Sequence, residues 1–334
     1  MTVGDGATMA PPLTLPNAID VTLRRPAEIE IHARLARALL GDGKPTGMRR
    51  WSRKAARTLF HLVHQRLGRP ALASLIPAGG GTPFAVDCAN TGFLDYARRS
   101  HAEGVEAEIS GLLSYLAPRL AVVYDIGANW GFYPLLLGTD PSFAGEIHAF
   151  EVTPRTAADL RHVVASAGLA ERVRIHAYGL SDRDGEARLE ATRHSYLARI
   201  VGADHAGATE PVTVRRLDGL GLPPPQLIKL DVEGHEAAVL RGAAALLGRH
   251  RPLIVFESWH QPEQPERMLE PLRILAALGY EFRRLAWHAA GERRGTVELA
   301  PIEPHERPAF AETLHLLASH PASAAAYFGS AARS

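Results

Sequence analysis

Four carboxylates, Asp125, Glu151, Asp231 and Glu257, each close a short apolar run of this 334-residue chain. Surface solubility gives no reason to gather acids at strand ends, whereas open α/β sheets bind ligands there. The first of the four stands in "VVYDIGANWGFYPLLL" (122–137), where an apolar run ends in Asp125 and turns through Gly127 and Gly131. A pyrophosphate would be repelled by that carboxylate. Ala128 and Asn129 also break the G-x-G-x-x-G spacing of a dinucleotide turn. The turn suits a ligand with a positive end.

S-adenosylmethionine is such a ligand, because its methionyl end carries an ammonium and its sulfur is cationic. Gly127 and Gly131, flanking Ala128 and Asn129, would let the backbone approach it closely. Glu151 lies one βαβ step further on, where an acid accepts hydrogen bonds from both ribose hydroxyls. The structural alternative is a helix cap at Asp125 and a tight turn at the glycines.

The second block is "LIKLDVEGHE" (227–236). In a strand, Lys229 and Asp231 point to one face and Ile228 and Leu230 to the other. A lysine inside a covered strand needs a partner, and Asp231 or a neighbouring acid can supply it. Gly234 allows a sharp turn before His235. Methyl transfer to a hydroxyl needs the oxygen positioned and its proton removed. Histidine titrates near neutrality, so His235 is the expected base, with a plain hydrogen bond at a helix start as its alternative. Asp231 and Glu257 are expected beside it in the catalytic set, with Asp231 also expected to border the cofactor and with pairing of Lys229 or Arg241 as the alternative for Glu257. They could hold Mg²⁺ or orient the hydroxyl without metal; the expectation is no metal. Glu233 is expected to face the cofactor or the acceptor, and Trp259 and His260 the acceptor entrance.

The rest of the sequence narrows the class. Net charge is +1, which argues against bulk nucleic acid as a partner. The single cysteine, Cys88, excludes a disulfide framework and a cysteine-based zinc site. The first twenty residues lack a basic segment followed by an apolar one, and no run is long enough to span a bilayer, so a cytoplasmic protein is expected. No G-x-S-x-G elbow, P-loop or N-P-P-[YF]-like tetrapeptide occurs.

Positioning these residues requires strands alternating with helices. Residues 1–82 read as an extension, partly disordered, with helices over 27–40 and 48–68 and a linker at 76–83. The 48–68 helix has one apolar stripe and a basic face. Peripheral membrane contact is one use of it, and packing on the neighbouring domain is the commoner one. Residues 83–305 then read as a parallel βαβ domain, with strands at 121–126, 145–151, 172–178, 226–231, 252–257, 280–286 and 296–302. A single helix is expected at 236–250, a β-hairpin between 179 and 225, and a helical tail at 306–334.

"VVYDIGANWG", "AFEVTP", "LIKLDVEGHEAAVLRGA" and "PLIVFE" together resemble the FkbM family of S-adenosylmethionine-dependent methyltransferases, over about residues 83–302. "GLSDRDGEARL" and "RRLDGL" fit the same family, while Val152 and Tyr178–Gly179 depart from it on the ribose and adenine sides. The resemblance implies a class I methyltransferase (Rossmann-like) fold, with a mostly parallel seven-stranded sheet whose final strand is antiparallel. It implies O-methyl transfer to a hydroxyl of a small molecule or glycan, and it makes Ser181 and Asp182 candidates on the adenine side, with a turn-stabilising hydrogen bond as their alternative. Two other readings stand beside it: a catalytically silent binding module on the same fold, and a nicotinamide-dependent oxidoreductase, which Asp125 disfavours.

Overall fold

Short runs of Val, Ile, Leu and Phe with almost no polar interruption make strands that must be covered on both faces. The computed structural model describes residues 16–24, 27–31, 72–77, 83–87, 105–190, 199–202 and 205–328. The described chain opens with β1 (Ala18–Thr22), β2 (Ala27–Ile31), β3 (Leu72–Pro77) and β4 (Phe84–Asp87). The alternation follows: α1 (Ala107–Leu116), β5 (Val122–Ile126), α2 (Phe132–Gly138), β6 (Glu146–Phe150), α3 (Pro154–Ser166) and β7 (Val173–His176). After β8 (Gly179–Leu180), β9 (Gly185–Glu190), β10 (Ile200–Val201) and β11 (Thr209–Arg215) come β12 (Leu227–Leu230), α4 (Glu236–Gly242), α5 (Ala244–His250) and β13 (Leu253–Ser258). The chain closes with α6 (Pro265–Ala277), β14 (Glu281–Gly291), β15 (Arg294–Ile302), β16 (Leu314–Ser319) and α7 (Pro321–Phe328).

The main sheet has nine strands in the order β1-β15-β14-β16-β13-β12-β5-β6-β7. β7, β6, β5, β12 and β13 run parallel, and β16 pairs antiparallel with both β13 and β14. The order reverses between β5 and β12, the topological switch point where open α/β sheets bind ligands. This is the class I methyltransferase arrangement expected from the sequence, with its reversed strand. Two expectations change. The reversed strand is β16, from the segment read as a helical tail, and β15 with β1 extends the edge beyond seven strands.

Side chains alternate across the sheet. Val123, Leu227, Val255 and Leu317 pack under α1, α2, α3 and α7, while Ile126, Ile228, Phe256 and Leu316 pack under α4, α5 and α6. The two pieces expected as a hairpin, β9 and β11, do pair antiparallel, but β10 lies between them in sequence and pairs with the other edge of β9, in a small four-stranded sheet completed by β8.

The N-terminal segment differs from its reading. β1 pairs with β15, so residues 18–22 belong to the main sheet. The helix expected over 27–40 begins instead as β2, which pairs with β3, and β3 takes in Ile76 and Pro77 of the expected linker. The expected basic helix at 48–68 lies outside the described residues. Residues 236–250 form two helices rather than one, meeting at Ala243 (φ −114°, ψ 8°). Gly242 explains the close seat of α4: a Cβ there would lie 1.9 Å from the Ser181 carbonyl oxygen.

Candidate functional site

β5 delivers Asp125 to the switch point with its side chain on the α1–α2 face. The register sets Asp125 beside Lys229 of β12. Asp125 is buried, and Lys229 Nζ stands 3.9 Å from its Oδ1, yet neither carboxylate oxygen has a hydrogen-bond partner. Burial raises its pKa to about 7; Lys229 opposes this, and Asp231, Glu151 and Glu106 add to it. Lys229 instead donates to Asp231 Oδ2 at 2.9 Å and lies 4.8 Å from the centre of the Tyr133 ring. The Tyr133 hydroxyl in turn bonds Glu106. Lys229 therefore has the ion-pair geometry expected of a lysine inside a covered strand.

The turn after Asp125 uses its own amides. Gly127 N and Ala128 N both donate to the Phe150 carbonyl, at 3.0 and 2.9 Å, and Gly131 N donates to Ala128 O at 3.0 Å. Asn129 N donates to Glu151 Oε2 at 2.9 Å. These amides are turned inward and do not form a phosphate cradle. Gly127 is required in a strict sense. Its φ is +85°, and a Cβ would lie 1.8 Å from the Asp231 carbonyl oxygen. Gly131 caps α2 in the left-handed region, as Asn129 also is (φ 49°).

Glu151 closes β6. Besides Asn129 N, it accepts from Thr153 N at 2.8 Å. Burial raises its pKa, and those amide bonds and Lys229 oppose the rise. A carboxylate has about four lone-pair sites, so two remain for a ligand.

Ser181 and Asp182 follow β8. The Ser181 hydroxyl and His235 Nε2 are hydrogen-bonded at 2.9 Å, and Arg241 holds Asp182 Oδ2 at 3.2 Å. His235 thus sits on the Ser181 side. The charges acting most strongly on it are Asp182, Arg183, Arg241 and Arg267. Burial is the main reason its pKa falls to about 4. Burial and the three arginines thus outweigh Asp182.

Asp231, Glu233 and Glu257 gather at the opposite side. Glu233, with φ 53°, has its pKa raised to about 8 by burial, then by Asp231, Glu257 and Glu236. Burial and Asp231 raise Glu257 to about 7, against His315 and a bond from Trp259 Nε1 at 2.7 Å. Trp259 is 37% exposed. Among the described residues no three His, Cys, Asp or Glu side chains form a metal-holding group.

Sequence reasoning missed Glu106, Glu108 and His315. The first two precede or open α1. His315 belongs to the unforeseen strand β16, so nothing local connected it with Glu257.

Residues 125–282 match the family model described as the methyltransferase FkbM domain. Among curated proteins no match was found. Solved structures of low similarity include an FkbM methyltransferase from Methylobacillus flagellatus KT, at 19% identity and TM-score 0.40, with 60% of this chain and 44% of that one covered. This chain thus spans under half the length of that protein. A precorrin-6y C5,15-methyltransferase from Geobacter metallireducens GS-15 is 16% identical, with TM-score 0.37 and coverage of 65% and 88%. An O-methyltransferase from Bacillus cereus solved with SAH is 13% identical, with TM-score 0.36 and coverage of 57% and 78%.

Proposed function

We propose that the chain, whose residues 125–282 match the methyltransferase FkbM domain model, transfers a methyl group from S-adenosylmethionine to a hydroxyl oxygen of a small molecule or glycan. The observation that carries this reading is Asp125: a buried carboxylate without a hydrogen-bond partner, beside a turn whose amides are already engaged. Such a site fits an ammonium and disfavours a nucleotide phosphate, which also counts against a nicotinamide cofactor. Gly127, Ala128, Asn129 and Gly131 would form the wall along the ligand. Glu151 would take the ribose hydroxyls with its two remaining lone-pair sites, and Ser181 with Asp182 would border the adenine. When bound, S-adenosylmethionine supplies an activated methyl group on a sulfonium.

The acceptor side is assigned to Asp231, Glu233 and Glu257. Glu257 is the better base, because its ionisation lies near neutrality while burial keeps His235 neutral down to about pH 4. Its carboxylate would take the hydroxyl proton, and Asp231 would remain the partner of Lys229 while bordering the acceptor. His235 becomes a residue of the cofactor side through Ser181. The same acids make an anionic acceptor costly, so a neutral or cationic hydroxyl compound is favoured.

The test is incubation of cell extract with the protein and methyl-labelled S-adenosylmethionine, followed by mass spectrometry. A labelled methyl ether absent from the Glu257→Gln reaction is expected. Label on nitrogen or carbon instead, or a Glu257→Gln variant with full turnover, contradicts the assignment.

A further inference from the structure

Glu257 and His315 are directly opposed residues of the antiparallel pair β13–β16, so their side chains leave the same face at close range. His315 Nε2 stands 3.9 Å from Glu257 Oε1, and His315 Nδ1 stands 2.5 Å from Glu108 Oε1 on α1. Glu257 Oε2 accepts the Trp259 indole proton. The three side chains form a row, carboxylate–imidazole–carboxylate, running from under α1 to the acceptor rim.

We propose that His315, anchored by Glu108, is the positioning residue of Glu257: an imidazolium that aims the carboxylate and holds it ionised. This rests on the reading of Glu257 as the base. The need for such a device is visible in the surroundings. Asp231 at the end of β12, Glu233 in the following turn and Glu106 at the start of α1 face Glu257, and all three act against its charge. Lys229 is committed to Asp231 and Asp125. His315 is the cation set against Glu257. Burial lowers the His315 pKa, but the Glu108 bond and the charges of Glu106, Glu108 and Glu257 outweigh it, so the ring is held above its ordinary value. A base must be ionised before it can accept a proton, so the row converts a half-buried acid into one ready near neutrality.

Trp259 gives a readout that needs neither acceptor nor methyl donor. The chain has four tryptophans, so its indole N–H region holds four nitrogen–proton resonances, and Trp259→Phe assigns the one beside Glu257. In the wild-type protein that resonance should titrate with a midpoint at about pH 7, and Glu257→Gln should abolish the titration. His315→Gln should move the midpoint up by about one unit or more, since a charge at about 4 Å is lost. Glu108→Gln, which keeps the ring but frees it, should move it the same way by less. The other indole resonances report whether each variant is folded. If His315→Gln fails to fold, Glu108→Gln carries the test. An unchanged midpoint in a folded variant, or a Trp259 titration that survives Glu257→Gln, overturns the proposal. Because no turnover is involved, that result is separable from failure of the labelled-methyl experiment.

Discussion

Glu151 serves the fold and the proposed ligand with the same two oxygens. It accepts the amides of Asn129 and Thr153, so it pins the turn after β5 to the end of β6. Glu151→Ala should weaken S-adenosylhomocysteine binding tens-fold or more, about 2–4 kcal/mol for lost bonds to a charged acceptor. It should also cost stability, about 1–3 kcal/mol for amides left unsatisfied. Calorimetry and urea unfolding measure the two effects separately, and unchanged affinity would contradict the ribose role. His235 gives a contrast. Its contact with Ser181 predicts that His235→Ala weakens S-adenosylhomocysteine binding and leaves the near-neutral limb of the pH–rate profile in place. A variant with normal binding and no such limb would return the base to His235.

At the scale of elements, the site depends on strand ends held in register, and β13 is held by an unusual device. Arg307 is completely buried in the short helix after β15. It donates to Ser258 Oγ at 2.8 Å, Ser258 O at 2.6 Å, Phe310 O at 2.9 Å and Glu312 O at 2.9 Å. These bonds fasten the approach to β16 onto the residue after Glu257. Arg307→Met should lose roughly 3 kcal/mol or more in urea unfolding, because several carbonyls are orphaned at once. A variant of wild-type stability would show that the staple is dispensable. The strand-end acids were legible because each closes an apolar run, and the pairing of Lys229 followed from period-two alternation. β16 was not legible. "LHLLAS" has no β-branched residue and a helix-forming composition, and only its pairing with β13 and β14 makes it a strand. With β16 went His315, the cross-strand neighbour of Glu257. The period-two run "EIEI" (28–31) did signal β2, but the Ala-, Leu- and Arg-rich residues after it gave a helical reading. The seat of His235 depended on α4 closing against Ser181. Its local trace was Gly242.

For the whole molecule, the site sets a pH balance. Asp125, Glu233 and Glu257 have folded pKa values above their unfolded ones, so their contributions are complete below about pH 4 and are lost as pH rises toward 7–8. Half-buried His176 and His235, lowered to about 4, contribute above their unfolded value of 6.5 and lose that contribution as pH falls toward 4. The ligand-free protein should therefore have a higher Tm near pH 6 than at pH 8.5, as read by calorimetric melting. A Tm that rises steadily to pH 8.5 would contradict the burial of these acids. An ammonium beside Asp125 reverses the upper limb, since it favours the ionised form. The most direct measurement is isothermal calorimetry of S-adenosylhomocysteine at pH 6 and pH 8, with wild-type protein and Asp125→Asn. With Asp125 ionising at about 7, wild-type affinity should rise about tenfold between the two pH values, and Asp125→Asn should bind weakly at both, without that rise. Absence of binding to the wild type, or an Asp125→Asn variant with the same affinity and the same pH dependence, would contradict the account.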